Sequence, residues 1–222
     1  MSTPTPTVSR RVRLLERLKH FAKGPNPLHP RNWEGRLSAV TFRRFQIGDL
    51  PRCLELYKQN EPGRFPEGVI SQYEKTLREQ RSYFLVAERE GRVVATGGMA
   101  YVQQPHIAVF CFGLVSPGNQ GTGIGTALLL VRFALLKKDR PLYRVLILAV
   151  AKSFGFYQRF GFQPCGSWPD PNGQEHPAGS LVITYEEAQQ CRQLLADHGI
   201  SVPHDEEQVP FRKKEEESSA AD

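Results

Sequence analysis

Between two apolar stretches the chain runs Ser116-Pro-Gly-Asn-Gln-Gly-Thr-Gly-Ile-Gly. The stretch before it, Ile107–Val115 (IAVFCFGLV), reads as a strand buried on both faces. The stretch after it, Thr126–Lys138 (TALLLVRFALLKK), reads as a strongly apolar helix. Gly121, Gly123 and Gly125 therefore fall at the mouth of a helix. Without Cβ atoms the backbone there can curl tightly and turn several N–H groups outward. The helix N-terminus adds partial positive charge, which makes the loop a ready seat for a phosphate or pyrophosphate. It is no Walker loop, because no lysine precedes Thr126. It is no GxGxxG fingerprint either, because Gly125 is followed by Thr126, Ala127 and Leu128. A glycine turn needed only for close packing is the alternative that the segment by itself leaves open.

The 222 residues make one large domain or two small ones, and a 40% hydrophobic share is enough for a core. The longest apolar runs, such as Val145–Ala151, fall far short of the ~20 residues a membrane helix needs. The N-terminus lacks the positive-then-apolar order of a secretory signal. Cys53, Cys111, Cys165 and Cys191 are widely spaced, with no CxxC pair, so neither zinc nor a disulfide framework is expected and a reducing cytoplasm is.

The net charge of +6 is uneven. Residues 1–36 hold a net +6, residues 205–222 a net −4, and the middle about +4. Much of the basicity thus sits in an arm, which weakens a nucleic-acid reading, and no nucleic-acid partner is expected. Within the arm, Ser9–Lys23 reads as an amphipathic helix that Gly24-Pro25-Asn26-Pro27 stops. Three regions result: a basic arm (1–36), a folded domain (37–200), and a charged tail (201–222) expected to lack regular structure.

Inside the domain, Ala39–Phe45 alternates as a strand, and Asp49 is placed to cap a helix carrying Leu50, Cys53, Leu54 and Tyr57 inward. A second helix is predicted over Pro66–Glu79. Ser82–Glu88 and Arg92–Val102 form a hairpin across Glu90-Gly91. After the glycine loop and its helix come a buried strand at Arg144–Val150, a short helix at Phe154–Arg159, strands at Gly161–Cys165 and Leu181–Tyr185, and a helix at Glu186–His198. The order predicts a mixed α/β fold around one central sheet, without the strict βαβ alternation of a dinucleotide-binding fold.

Gln120-Gly-Thr-Gly-Ile-Gly matches the (Arg/Gln)-x-x-Gly-x-(Gly/Ala) signature of the GCN5-related N-acetyltransferase (GNAT) family. Downstream, Phe156-Tyr157-Gln-Arg-Phe-Gly161-Phe162 resembles that family's (Leu/Phe)-Tyr-x-x-x-Gly-Phe element. The interval, a helix and then a strand, is also the family's, and the resemblance covers about residues 38–190. It implies a mostly antiparallel sheet flanked by helices and splayed at an acyl-CoA site. It further implies that Gln120, Gly121, Thr122, Gly123, Ile124, Gly125 and Thr126 hold the pyrophosphate of acetyl-CoA, the acyl donor. Backbone groups of Leu114 and Val115 would pair with pantetheine, and Tyr157 would protonate the departing thiolate. An aromatic packing residue is the alternative for Tyr157.

The implied chemistry is direct attack of a primary amine, on a small molecule or a protein, at the thioester carbonyl. It needs no protein nucleophile and no metal. An amine near pKa ~10.4 must first lose a proton. Many members place an acid on the strand equivalent to Ile107–Val115, and this chain has none. His106, Glu88 and His176 are the candidate bases. Many members also carry an Asn after the next strand, where Ala151-Lys-Ser-Phe supplies only Ser153. Trp168, Asp170, Glu175 and His176, in a segment read as a loop, are candidates to receive the acceptor, the acids favouring a cation. A non-catalytic acyl-CoA-binding module is the alternative function, and a homodimer is left open.

Overall fold

The computed structural model describes residues 40–64, 69–102, 104–170 and 172–212, apart from the side chains of 62–64, 104 and 105. The arm and its expected helix lie outside the described residues. Chain order is β1 (Thr41–Arg44), a 3-10 turn at Ile47–Asp49, α1 (Leu50–Arg64), α2 (Ile70–Arg78), β2 (Tyr83–Arg89), β3 (Arg92–Val102) and β4 (Gln104–Val115). A second 3-10 turn at Pro117–Asn119 leads into α3 (Ile124–Ala134). Then follow β5 (Leu142–Leu148), α4 (Ala151–Gln158), β6 (Gln163–Pro169), β7 (Glu175–Thr184), α5 (Tyr185–Asp197) and β8 (Phe211–Arg212).

The strands form one sheet in the order β1-β2-β3-β4-β5-β7-β6, with β8 paired to the far end of β3. Only β4–β5 and β3–β8 are parallel. The expected mixed, mostly antiparallel α/β sheet is the one found. α1 and α2 cover one face, where Leu56, Tyr57, Tyr73 and Leu77 bury against Phe84, Val86 and Leu114. α3 and α5 cover the other, where α3 is buried along its whole length. Asp49 does not cap α1 as expected. Its carboxylate accepts the Gln46 N–H at 2.8 Å and a fork of bonds from Arg43 at 2.7 and 2.8 Å, and so ties β1 to the turn.

Three expectations are corrected. β4 and β5 are not buried on both faces: β5 alternates, leaving Leu148 57% exposed, and one flank of β4 lines a cleft. The segment 167–180 is not an open loop, because β6 runs to Pro169 and β7 begins at Glu175, pairing as a hairpin. The domain does not stop at residue 200. Val202 and Val209 join the core, Tyr83 donates to Asp205 at 2.7 Å, and β8 extends the sheet.

One irregularity in the sheet decides which β4 side chains reach each face. Thr96 faces Leu114 and Gly98 faces Cys111, so β4 carries one residue more than β3 between those pairs. Phe112 absorbs the extra residue in a left-handed conformation, φ +46°. A bulge of this kind reverses the alternation. Ala108 and Phe110 serve the α3 face, whereas Phe112 and Leu114 serve the α1–α2 face.

Candidate active site

Pairing between β4 and β5 ends at Phe110–Ile147, beyond which the two strands part. The parting opens a cleft of about 810 Å³ that reaches from the glycine loop, past the bulge, to the β6–β7 hairpin. Ser116 N–H donates to Val94 O at 2.8 Å. Since successive residues of a strand turn their backbone groups to opposite sides, Leu114 addresses β3 and Val115 addresses the cleft. Of the two residues expected along the donor chain, Val115 lines the cleft, while the Leu114 side chain is core, 1% exposed.

Gln120, Gly121, Gly123, Gly125 and Thr126 line one end of the cleft. Gly121 and Gly123 sit at φ +78° and +90°, where a Cβ would be strained. Gly123 caps α3 without any side-chain bond to the first-turn N–H groups, and the first turn holds no acid. Those donors and the helix dipole are therefore directed at the cleft mouth. The Gln120 side chain acts on the scaffold: its amide donates to Asn60 Oδ1 at 3.0 Å and to Val115 O at 3.1 Å, and Asn60 donates to the same carbonyl at 3.1 Å. Thr122 Oγ1 donates to Asn119 O at 2.7 Å, and Ile124 is fully buried, so neither side chain faces the cleft.

Tyr157 projects from α4 into the middle of the cleft. Phe162 packs edge-on against it at 5.6 Å, and Phe160 and Phe162 N–H both donate to the Tyr157 carbonyl, at 2.9 and 3.3 Å. A methyl group on Gly113 would lie 3.4 Å from both the Tyr157 hydroxyl and Arg132 Nη2. Arg132, from α3, thus stands beside that hydroxyl, donates from Nε to Leu128 O at 3.2 Å, and lies 4.8 Å over the Phe110 ring. Burial lowers its guanidinium from the ordinary arginine value. Arg132 escaped the sequence reading, although a lone arginine in an otherwise apolar run was its signal.

The candidate bases do not gather here. His106 is exposed at the start of β4, and Glu88 is bonded to Arg43 at 2.7 Å. His176 is buried in β7 against Asp170, Nε2 to Oδ2 3.1 Å, while its Nδ1 and the Trp168 Nε1 have no partner among the described residues. Trp168 and Asp170 line the cleft; Glu175 does not. Asp170 Oδ1 accepts the N–H groups of Asn172 and Gln174, each at 2.8 Å. Burial raises its carboxyl, but those bonds and His176 outweigh it and hold it below the ordinary value. Burial raises the Cys111 thiol, so that lining residue is no thiolate nucleophile at neutral pH. Arg212, placed in the tail by sequence, also lines the cleft, donating to Arg81 O at 2.8 Å and to Ser82 Oγ. Among the described residues no group of three or more His, Cys, Asp or Glu is placed to hold a metal, and no helix is long and apolar enough to cross a membrane.

An open, mostly antiparallel sheet, parted between its central parallel strands beside a glycine loop at a helix N-terminus, is the GNAT arrangement. Residues 80–164 match the family model of the acetyltransferase (GNAT) domain. No curated protein matches the sequence. Among solved structures, a GNAT-family protein from Desulfovibrio desulfuricans is 17% identical with a TM-score of 0.54, over 66% of this chain and 99% of that one. N-acetylglutamate synthase from Neisseria gonorrhoeae, in complex with coenzyme A and N-acetyl-glutamate, is 20% identical with a TM-score of 0.52, over 66% of this chain but only 36% of that one. An aminoglycoside acetyltransferase in complex with coenzyme A and kanamycin is 17% identical with a TM-score of 0.52, over 68% and 98%. At these identities the likeness is one of fold.

Proposed function

We propose that the chain is an acyl-CoA-dependent N-acetyltransferase that moves acetyl from acetyl-CoA to a primary amine. The observation that carries this is one continuous cleft with outward-turned amides at Gly121–Thr126 at one end and the Tyr157 hydroxyl midway along it. The loop amides and Arg159, which stacks over Phe156 at 5.4 Å beside Gly125, receive the phosphates. The Val115 N–H, on the flank of β4 that no strand covers, donates to a pantetheine carbonyl while Asn60 and Gln120 hold the Val115 carbonyl, and Ser153 lines the same cleft. The coenzyme A complexes of the two fold relatives are in keeping with that placement.

In the transfer step the neutral amine attacks the thioester carbonyl, the C–S bond breaks, and the thiolate takes a proton from Tyr157. The Arg132 guanidinium, beside the same hydroxyl at Gly113, faces the negative charge that develops there during transfer. Water in the open cleft takes the ammonium proton before attack, and the proton released from nitrogen as the amide forms returns Tyr157 to the phenol. Asp170 is engaged by three donors and held too low to act as an efficient base at neutral pH.

Calorimetric titration with acetyl-CoA tests the loop. The native chain binds and Gly123→Glu does not, because the substitution places a negative side chain in the phosphate seat. Absence of binding by the native chain removes both the transferase and the acyl-CoA-binding module. Tyr157→Phe separates these two: loss of turnover by roughly 10²–10⁴-fold with CoA affinity retained marks the transferase. Acyl-CoA binding without CoA release in the presence of amines, peptides or aminoglycosides marks the module.

A further inference from the structure

A buried charge without a counter-charge is expensive even after relaxation. Arg43, Arg52, Arg78, Arg81 and Arg192 each pair with a carboxylate. Arg132, Lys152, Arg159 and Arg212 line the cleft, and none of the four pairs with a carboxylate of the described residues; Arg159 is the one already placed at the phosphates. Arg132 is 2% exposed. Arg212 donates to Ser82, whose Oγ lies 3.7 Å from Cys111 Sγ, and the Cys111 thiol feels both guanidinium charges.

Neither arginine sits at the phosphate seat. Arg132 is six residues along α3 from Thr126, about 9 Å at 1.5 Å per residue. Arg212 arrives on β8 beside β3, away from the glycine loop. The counter-charge is not Asp170 either, the one acid among the described lining residues, which is committed to Asn172, Gln174 and His176 with its side chain 3% exposed. The wall opposite the phosphate seat is therefore cationic, with no open carboxylate to hold a polycation. Glu175 lies outside the cleft and Asp170 is held by its own donors, so neither acid stands open toward an acceptor.

Resting on the acyltransferase reading, we propose that the acceptor is an amine that also carries a carboxylate, of the amino-acid class, and that Arg212 and Arg132 receive that carboxylate. A planar guanidinium fork suits a carboxylate better than any other charged group in the cleft. Binding then supplies the missing counter-charge while leaving the amino group free to reach the thioester near Tyr157.

The test uses the full chain. Coenzyme A is titrated first, and then N-acetylglycine, N-acetylmethionine and N-acetylaspartate are titrated into the CoA complex beside their primary amides. At least one acid is expected to bind tenfold or more tightly than its amide. Arg212→Gln is expected to cut that preference below threefold with CoA affinity unchanged, and Arg132→Met to do the same. Absence of CoA binding overturns the acyltransferase reading and this inference with it. CoA binding without preference for any acid overturns the inference alone, as does a preference that survives both substitutions. A preference for succinyl-CoA over acetyl-CoA that Arg132→Met abolishes, with no acid preference in the panel, also overturns it and assigns the guanidiniums to an acidic acyl chain.

Discussion

At Asp170 one carboxylate serves three donors: the backbone N–H groups of Asn172 and Gln174 and the ring of His176. Its value in the folded chain is depressed, so the stability it confers is complete above the ordinary carboxylate value of about 3.9. That stability is lost as the pH falls through the lower folded value. Asp170→Asn keeps an oxygen for the two backbone donors and removes the charge. The native chain is expected to show the higher urea midpoint at neutral pH and to converge on the variant as the pH drops below about 3.9. A gap that persists unchanged in acid would assign the effect to hydrogen bonding alone. The same residue marks a limit of sequence reading. Pro-Asp-Pro-Asn-Gly reads equally as turn chemistry or as an acceptor site, and only the fold brings His176 under the turn.

Among the elements, α4 determines where Tyr157 stands, and it rests on β7 through a missing side chain. A Cβ on Gly179 would meet Phe154 at 2.8 Å and Ile147 at 3.2 Å. Gly179→Ala is therefore expected to push α4 off the sheet and to cost about 1–3 kcal/mol, read from urea unfolding. It should lower turnover more than it lowers acetyl-CoA affinity, since the glycine loop lies on α3. Equal loss of both would mean that the two helices move as one. The strand–loop–helix at residues 107–134 and the Tyr-x-x-x-Gly-Phe turn were legible because local glycine chemistry and apolar runs specify them. The bulge at Phe112 was not. Ile107–Val115 is apolar at nearly every position, so no alternation was there to break, and the register that creates the bulge comes from β3.

For the molecule as a whole, the C-terminal segment links stability to the composition of the cleft. Its charge made it read as a solvated tail, because seven acids outweighed two valines spaced seven apart. Those valines are 8% and 2% exposed, and a buried valine contributes about 1.5–3 kcal/mol. Around them the backbone of Pro210 accepts the Tyr101 N–H at 2.9 Å, Asp205 accepts the Tyr83 hydroxyl, and Arg192 pairs with Glu206. Such contacts form together or not at all, since releasing the valines also frees the hydrogen bonds between them. A carboxylate at residue 209 would cost more to bury than the docked segment returns, so Val209→Asp is expected to release the segment rather than tolerate the charge. Its urea midpoint should then coincide with that of a chain ended at Ile200, and both should fall below that of a chain ended at Arg212. Hydrogen exchange at the Tyr101 amide provides the local reading: it should become fast in both. Because Arg212 leaves with the segment, the preference for acids over amides should vanish in both while CoA still binds. A protected Tyr101 amide in Val209→Asp would instead show that β8 holds to β3 without the valine beneath it.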